Sequence, residues 1–426
     1  MLIEFRTSNA LSFKGMAELS MVASVDKTND GNNTYVRDGI KFLKSAVVYG
    51  ANGSGKTNLT NAFSYMKSVI SYQSETKDMS FKLDKACLNE PSFFEVVFYN
   101  SDNKRYRYGF ESTANKIVSE WLFFSKTSRE TTLFTRENQN ITINRLNFSE
   151  GKGLESKTTE DKLFLGVVAE FNGSISKSVV NWFKNVNVRS GLVSSHYDTL
   201  FKIKNEGEAY RKKILNILHS FDVQMEDFQI KDKPKVPMEL PTSKDTPEGL
   251  LKMLRAVKEY MDEQEYTPEP QVITIRKSYS DGKDIGTVEL DLLENESDGT
   301  KKLFELAGYV VDVLDDGGTI FVDELESKLH PLITKELVKI FNSSDKNKNN
   351  AQLIFTTHDT NLLKGGHLRR DQIWFTEKDK FGASHLYSLA EYREKPRKDA
   401  SLEKDYIKGR FGAIPFIGDF SELISK

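Results

Sequence analysis

The sequence predicts an α/β fold with an antiparallel β subdomain and a helical insertion, and three observations carry this prediction. A glycine-rich stretch at 50–57 lies between an apolar run and a helical pattern. A second apolar run, at 318–322, ends in two carboxylates. Alternating apolar residues fill much of the first 150 positions, whereas the middle of the chain carries apolar residues at helical spacing.

The glycine-rich stretch reads Gly-Ala-Asn-Gly-Ser-Gly-Lys-Thr, which is the G-x-x-x-x-G-K-T pattern of a P-loop. Residues 45–49 before it read as a buried strand and 58–70 after it read as a helix, the context that a P-loop needs. In such a loop, backbone N–H groups turn toward a phosphate, Lys56 reaches the β- and γ-phosphates, and the Thr57 hydroxyl ligates Mg²⁺. The stretch therefore predicts nucleotide phosphate binding rather than a strand-to-helix turn without a ligand. The residues assigned to this role are Gly50, Asn52, Gly53, Ser54, Gly55, Lys56, Thr57 and Asn58.

The composition is typical of a soluble globular protein. The 426 residues include 38% hydrophobic and 29% charged residues, which suits about two or three domains. A single cysteine, Cys87, excludes an internal disulfide and fits a reducing compartment. Neither an apolar run of membrane-spanning length nor a signal-peptide pattern is evident, so we expect a cytoplasmic protein without a membrane partner. The net charge of −2 gives no support for nucleic-acid binding, which local basic patches leave open.

Residues 1–150 are predicted to form a first lobe that holds the P-loop and an antiparallel sheet. Strands are indicated by alternation and by β-branched or aromatic content, and the polar residues 100–103 between two such runs predict a hairpin. The predicted strands are 2–6, 17–22, 45–49, 93–99, 105–110, 117–124 and 139–146.

Residues 151–271 are predicted to form the helical insertion, with helical patterns at 160–183, 208–221 and 249–263. Prolines cluster between positions 234 and 270 and predict a loop that interrupts these helices. The last helix has one apolar face, which we expect to pack into a core. That face consists of Leu250, Leu254, Val257 and Met261.

Residues 272–426 are predicted to form a second lobe, beginning with strands at 272–275 and 286–290. The apolar run at 318–322 and the carboxylates after it match a Walker B motif, in which the first acid holds Mg²⁺ and the second polarises the attacking water. Asp323 is therefore assigned to the metal and Glu324 to general-base catalysis. Because parallel strands present their carboxyl ends to one crevice, this motif and the P-loop are expected to share a site.

Two further features flank the Walker B run. Ser297 and Gly299 begin a helical pattern before it, and His358 follows the apolar strand pattern at 352–356 after it. Taken alone, Ser297 reads as a helix N-cap and His358 as a polar residue at the end of a strand. In this order, they resemble the signature and switch motifs of ABC-type ATPases.

These motifs together resemble one family, the AAA-type ATPases of bacterial abortive-infection and restriction-linked operons, known as the RloA/AbiLi-like group. The resemblance covers nearly the whole chain. It rests on 11–14, the P-loop, 296–301, 323–331 and 357–359, and it extends to 368–375 and 409–415. Members belong to the wider class of ABC-type heads that includes SMC and RecF. The resemblance implies ATP binding between two heads, ATP hydrolysis with Mg²⁺, and a role in defence against phage. Some relatives act beside a separately encoded Toprim-like nuclease, as in PARIS-type systems.

Carried over to this chain, the resemblance implies that Ser297 and Gly299 present the signature to the γ-phosphate of a second copy, in a homodimer or higher homo-oligomer. It also implies that His358 senses that phosphate and takes part in catalysis with Lys56 and Glu324. One departure is that the segment 80–130 contains no glutamine that could serve as a Q-loop residue. We therefore assign that role to no residue.

Three other functions are weighed against this one. A GTPase would carry an Asn-Lys-x-Asp motif, which the sequence lacks. An ATP-dependent nuclease of the OLD type, acting on DNA, would need a D-x-D pair for its metal ions after His358, and none is present. A nucleotide sensor without turnover is disfavoured by the intact Glu324. We therefore expect an ATPase that acts as a sensor or regulator of a separately encoded effector protein.

Overall fold

The computed structural model describes residues 1–126, 129–191, 197–233, 247–263, 270–392 and 401–415. The chain forms two compact units. The first consists of Met1–Ser194 with Tyr309–Lys426, and the second of Ser195–Gly308. Of the helices in these described ranges, none is long and apolar enough to cross a membrane.

Within the described residues, the first part of the first unit contains eleven strands, ten of them in the predicted β-rich lobe, together with the P-loop helix and two further helices. In chain order these elements are β1 (Leu2–Ser8), β2 (Ala17–Ser20), β3 (Thr34–Arg37), β4 (Ile40–Leu43), β5 (Ser45–Gly50), α1 (Lys56–Tyr72), β6 (Ser92–Tyr99), β7 (Arg105–Ser112), β8 (Ile117–Ser125), β9 (Thr131–Glu137), β10 (Asn140–Ile143), α2 (Phe164–Glu170), α3 (Ser174–Asn185) and β11 (Asn187–Ser190).

The remaining elements follow in chain order. The second unit contributes α4 (Tyr197–Ser220), β12 (Asp227–Asp232), α5 (Glu248–Glu263), β13 (Pro270–Ser280), β14 (Lys283–Asp291) and α6 (Leu292–Asn295), and α7 (Asp298–Asp316) spans its boundary. The first unit then continues with β15 (Thr319–Asp323), α8 (Pro331–Asn342), β16 (Gln352–Thr356), β17 (Ile373–Lys378), β18 (Ser384–Ser388) and α9 (Leu402–Ile407).

A six-stranded sheet holds the P-loop strand and the Walker B strand of the first unit. Its order is β11-β15-β16-β5-β17-β18, with β18 antiparallel to β17 and the other neighbours parallel. One strand, β16, therefore separates β5 from β15. On one face, Phe63 of α1 stacks on Phe321 of β15 with ring centroids 4.3 Å apart. The carboxyl ends of β5, β15 and β16 consequently meet at one edge of the sheet, as the sequence predicted.

A seven-stranded antiparallel sheet with the order β10-β9-β8-β7-β6-β1-β2 forms the predicted β subdomain. The hairpin of β6 and β7 is confirmed, with Tyr99 opposite Arg105 across its turn. The strand predicted at 139–146 is shorter, and β9 was not predicted. The α/β class and the antiparallel subdomain are therefore confirmed.

The helical pattern at 160–183 lies in the first unit, not in a separate insertion. The predicted helix at 160–183 is two helices, α2 and α3, because the chain turns at Asn172 with a φ of 69°. Both helices bury apolar side chains, including Phe164 and Phe183, in the core that also holds Phe63 of α1. The second unit thus begins at 195 rather than 151, and it ends at 308 rather than 271.

The second unit contains a three-stranded antiparallel sheet of the order β12-β13-β14. Helix α4 bends at Gly207 and buries Tyr210, Ile214 and Leu218. Phe228 of β12 packs edge-on against Phe304, with ring centroids 5.0 Å apart. These contacts give the unit an apolar core of its own.

Helix α5 does not fulfil the expectation that its apolar face is core. Leu250 is 46% exposed and Val257 is 37% exposed. Leu254 is half-buried, so amphipathic spacing alone overestimated the burial of this face. The proline-rich segments 234–246 and 264–269, and the side chain of Met261, lie outside the described residues.

Candidate nucleotide site

The P-loop joins the fully buried strand β5 to the first turn of α1. Gly55 has a φ of 118°, a conformation that L side chains rarely adopt. A Cβ atom at this position would also lie 2.4 Å from Ser384 Oγ. Gly55 is therefore required on both counts. Asn52, Gly53 and Thr57 are exposed, so this side of the loop is open to a ligand.

Small hydroxyl side chains support the P-loop from behind. Ser54 Oγ lies 2.7 Å from Thr376 Oγ1 in β17. Ser384 Oγ in β18 donates to the Ser54 carbonyl oxygen at 2.6 Å and lies 2.8 Å from Ser12 Oγ. Sequence reasoning missed Thr376 and Ser384, because serine and threonine in a strand give no signal of such a contact. Ser12 had been noted only within the 11–14 motif.

Lys56 is buried beneath the loop. Its Nζ donates to the carbonyl oxygens of Gly50 at 2.8 Å and Ala51 at 3.1 Å. Burial lowers the pKa of Lys56, whereas the negative charges of Asp323, Glu324 and Glu326 act to raise it. The lysine therefore interacts electrostatically with the acidic residues of the Walker B segment. This agrees with the expectation that the P-loop and the Walker B motif share one site.

Thr356 joins the ends of β15 and β16. Its Oγ1 donates to Asp323 Oδ1 at 2.6 Å and accepts the N–H of Glu324 at 2.8 Å. The N–H of Leu325 donates to the Thr356 carbonyl oxygen at 3.1 Å. Glu324 has a φ of 51°, in the left-handed region. These bonds hold the Asp323 carboxylate and the Glu324 backbone at the edge where the P-loop lies.

His358 follows β16 and is exposed. Its N–H donates to Glu326 Oε1 at 2.6 Å. Partial desolvation of the ring and the charge of Lys56 lower the pKa of His358, and Glu326, Glu324 and Asp323 oppose that shift. The structure therefore brings His358 into the same charged cluster as the P-loop lysine.

The donor set suits Mg²⁺. This ion is usually held by one or two carboxylates together with substrate phosphates and water, rather than by a cage of protein ligands. Asp323 and Thr57 supply one carboxylate and one hydroxyl beside the phosphate loop. Within the described ranges, no group of three histidine, cysteine or acidic side chains could hold a metal by itself.

Ser297 is the N-cap of α7. Its Oγ accepts the N–H of Thr300 at 3.1 Å. Glu296 before it is buried and forms an ion pair with Arg276 at 2.6 Å. Ser297 and Asp298 are exposed, and Gly299 is half-buried. The capping role is therefore real, and it leaves the start of α7 accessible.

Gly191 at the end of β11 lies against the turn that carries Glu324. Its N–H donates to the Asp323 carbonyl oxygen at 2.5 Å. A Cβ atom at Gly191 would lie 2.0 Å from the Glu324 carbonyl oxygen, so β11 or the Glu324 turn would have to move. No sequence pattern indicates this contact.

We expect Gly191→Ala to reduce turnover and to destabilise the fold, because overpacking against a fixed backbone typically costs about 1–3 kcal/mol. Thermal unfolding and phosphate release measure the two effects. Gly15→Ala is the matched control, since a Cβ there has nothing within 4 Å. Wild-type turnover and stability in Gly191→Ala would show that the Glu324 turn tolerates displacement.

A phosphate loop and a Walker B carboxylate pair, held at one edge of a parallel sheet with one strand between them, define an AAA/ABC-like P-loop ATPase domain. The chain belongs to the family described as "AAA domain, putative AbiEii toxin, Type IV TA system", whose model matches residues 45–364. Curated protein sequences give no match.

Among solved structures, the chain is similar to the SMC head domain from Thermotoga maritima. The two are 12% identical, 91% of this chain and 98% of that chain are covered, and the TM-score is 0.40. It is also similar to the recombination mediator protein RecF of the RecFOR pathway. The structure described as RecF-ATPrS is 14% identical, with 91% and 98% of the two chains covered and a TM-score of 0.35. The structure described as RecF-ATP is 13% identical, with 91% and 97% covered and a TM-score of 0.38.

Proposed function

We propose that this protein binds ATP with Mg²⁺ and hydrolyses it to ADP and phosphate. The observation that carries the proposal is the hydrogen-bonded link through Thr356, which fixes Asp323 and Glu324 beside the P-loop. A glycine-rich loop alone could bind phosphate without turnover. The adjacent carboxylate pair adds a ligand for Mg²⁺ and a base for water.

The backbone N–H groups of the P-loop and the start of α1 bind the phosphates. Lys56 exchanges its bonds to the loop carbonyl oxygens for bonds to the β- and γ-phosphate oxygens. Those carbonyls keep the buried ammonium hydrogen-bonded at the loop, so the lysine is already in place. Mg²⁺, held by Thr57 and Asp323, would neutralise charge on the phosphates.

Glu324 orients a water molecule in line with the γ-phosphate and accepts its proton. Its backbone is fixed by the Thr356 bond, so the carboxylate extends from a rigid turn. His358 contacts the γ-phosphate and reports its presence. Phosphate release from ATP, measured beside GTP, tests the proposal. We expect release from ATP, and a protein that neither binds ATP nor releases phosphate would contradict it.

We further propose that ATP joins two copies head to tail, with Ser297-Asp298-Gly299 of each copy completing the site of the other. The exposed start of α7 supports this, because N–H groups at a helix N-terminus bind anions. Capping by Ser297 orders that end of the helix without covering it.

Within its family, the chain is proposed to be a sensor or regulator of anti-phage defence that controls a separately encoded effector. The resemblance to the RloA/AbiLi-like group supports this, as does the family description, which names an AbiEii toxin and a Type IV TA system. A PARIS-type partner nuclease would fit the same arrangement. A pull-down from the native host, followed by deletion of the captured gene, tests whether an effector exists.

Residues 234–246 are proposed to carry recognition of the trigger or partner, because they lie outside every ATPase motif of the sequence. Strand β12 extends to Asp232, and Lys231 pairs with Glu289, so a replacement should begin after Lys233. We expect a short Gly/Ser linker in place of 234–246 to leave ATP hydrolysis unchanged and to abolish defence in a phage plaque assay. Loss of hydrolysis in a variant that still folds would show instead that the ATPase needs residues 234–246.

A further inference from the structure

Glu326 links the two turns that carry the proposed catalytic groups. It follows Glu324 by two residues in the turn after β15, and its side chain is half-buried. Its Oε1 accepts the N–H of His358, which belongs to the turn after β16. This is a side-chain link between two loops 32 positions apart in the chain. It is separate from the backbone and hydroxyl bonds that Thr356 makes.

The second oxygen of this carboxylate has no hydrogen-bond partner. Among the described residues, Glu326 Oε2 is buried and accepts no hydrogen bond. Leaving a buried polar atom unsatisfied costs about 1–3 kcal/mol, and more for a charged group. A residue retained only to fill this space would be less costly as a smaller or apolar side chain. The unsatisfied oxygen therefore indicates that the carboxylate serves the site rather than the stability of the turn.

The position of the hydrogen bond between Glu326 and His358 indicates its role in the site. Thr356 already fixes the backbone of Glu324, but its bonds end before His358. Past that point, His358 is exposed and its N–H has Glu326 as its acceptor. If that acceptor is removed, the turn after β16 loses its link to the Walker B turn at the residue that carries the imidazole.

We propose that Glu326 is a positioning residue for His358. By accepting the His358 N–H, it fixes the turn after β16 so that the imidazole stays beside Lys56, Asp323 and Glu324. The inference rests on the proposed ATP hydrolysis, which gives His358 its task. In this proposal Glu326 acts through His358 and not on the nucleotide. Its contribution is geometric, and an uncharged acceptor of the same shape should supply it.

The kinetic test compares Glu326→Ala with Glu326→Gln, because glutamine keeps an oxygen that can accept the His358 N–H. Misplacement of a reacting group by about 1 Å can cost up to about 10²-fold in rate, so we expect Glu326→Ala to lower kcat by about tenfold or more with little change in KM. Glu326→Gln should recover most of that loss. Glu336→Ala is the control, since Glu336 pairs with Lys339 on α8. Equal losses in the two Glu326 variants would overturn the proposal.

A double-mutant cycle asks whether Glu326 acts through His358. If it does, His358→Ala with Glu326→Ala should be no slower than His358→Ala alone. Losses that multiply would show that Glu326 acts independently and would overturn the proposal.

A readout without turnover separates this proposal from the proposed function. The chain has six histidines, so protein labelled with ¹⁵N-histidine gives few amide signals, and His358→Ala identifies the one required. In nucleotide-free protein, we expect Glu326→Ala to shift the His358 amide and speed its hydrogen exchange. Glu326→Gln should preserve both, and the other five amides should not move. An unchanged His358 amide in Glu326→Ala would overturn the link. A wild-type protein that hydrolyses no ATP would contradict the proposed function. The spectrum would still test whether Glu326 accepts the His358 N–H.

Discussion

Lys56→Ala is expected to lower ATP turnover by about 10²–10³-fold, the usual effect of removing one group that stabilises the charge of the transition state. Lys56 is the cation that the P-loop itself places on the transferring phosphate, and its burial beneath the loop means that no mobile surface lysine can replace it. Alanine also leaves the carbonyl oxygens of Gly50 and Ala51 without the donor they now have. Steady-state phosphate release measures the effect.

Lys346→Ala is the matched control, because it removes an exposed lysine that pairs with Glu336 on the surface. We expect it to turn over ATP at the wild-type rate. Thermal unfolding of both variants separates lost catalysis from lost folding. Undiminished turnover in a folded Lys56→Ala protein would exclude this loop as the active site.

Glu324→Gln is expected to stall hydrolysis and to trap an ATP-bound dimer. The amide keeps the shape of the side chain but cannot accept the proton of the attacking water. ATP therefore persists, and the two heads that it joins stay together. Light scattering with and without ATP and Mg²⁺ should show the mass of the Glu324→Gln protein doubling only when nucleotide is present.

Adding Ser297→Arg to Glu324→Gln should return the protein to its nucleotide-free mass, because a bulky side chain at the exposed start of α7 would obstruct the partner. Ser297→Ala in the same background is the control. It removes the N-cap, at a typical cost of about 1 kcal/mol, without adding bulk. The head-to-tail dimer is wrong if ATP leaves the mass of the Glu324→Gln protein unchanged and adding Ser297→Arg has no effect.

The sequence predicted the elements that hold the site because their signals are local. Strands β5, β15 and β16 are short apolar runs that end at glycine, acid or histidine motifs, and the helical pattern after Lys56 is α1. The parallel arrangement followed from their chemistry, since a lysine and carboxylates for one phosphate must share an edge. The boundaries of the second unit did not follow, because they depend on which core the helices α2 and α3 join.

The supporting contacts of the site could not be predicted. Thr376, Ser384 and Gly191 act on the P-loop or the Glu324 turn from strands far away in the chain, and each is an unremarkable residue type for its position. Glu326 stood within the 323–331 motif, but its bond to His358 depends on how two turns meet. Such contacts arise from tertiary structure and carry no local pattern.

The P-loop and the end of β15 are proposed to form one ATP-hydrolysing site. Its most direct test measures bound ATP and released phosphate together, in wild-type protein and in Glu324→Gln, with ATP labelled at the γ-phosphate. We predict that wild-type protein releases phosphate over many turnovers, whereas Glu324→Gln retains about one intact ATP per chain and releases almost none, because the base is lost while the phosphate loop is kept. Phosphate release by Glu324→Gln at the wild-type rate, or a wild-type protein that retains no ATP and releases no phosphate, would contradict the claim.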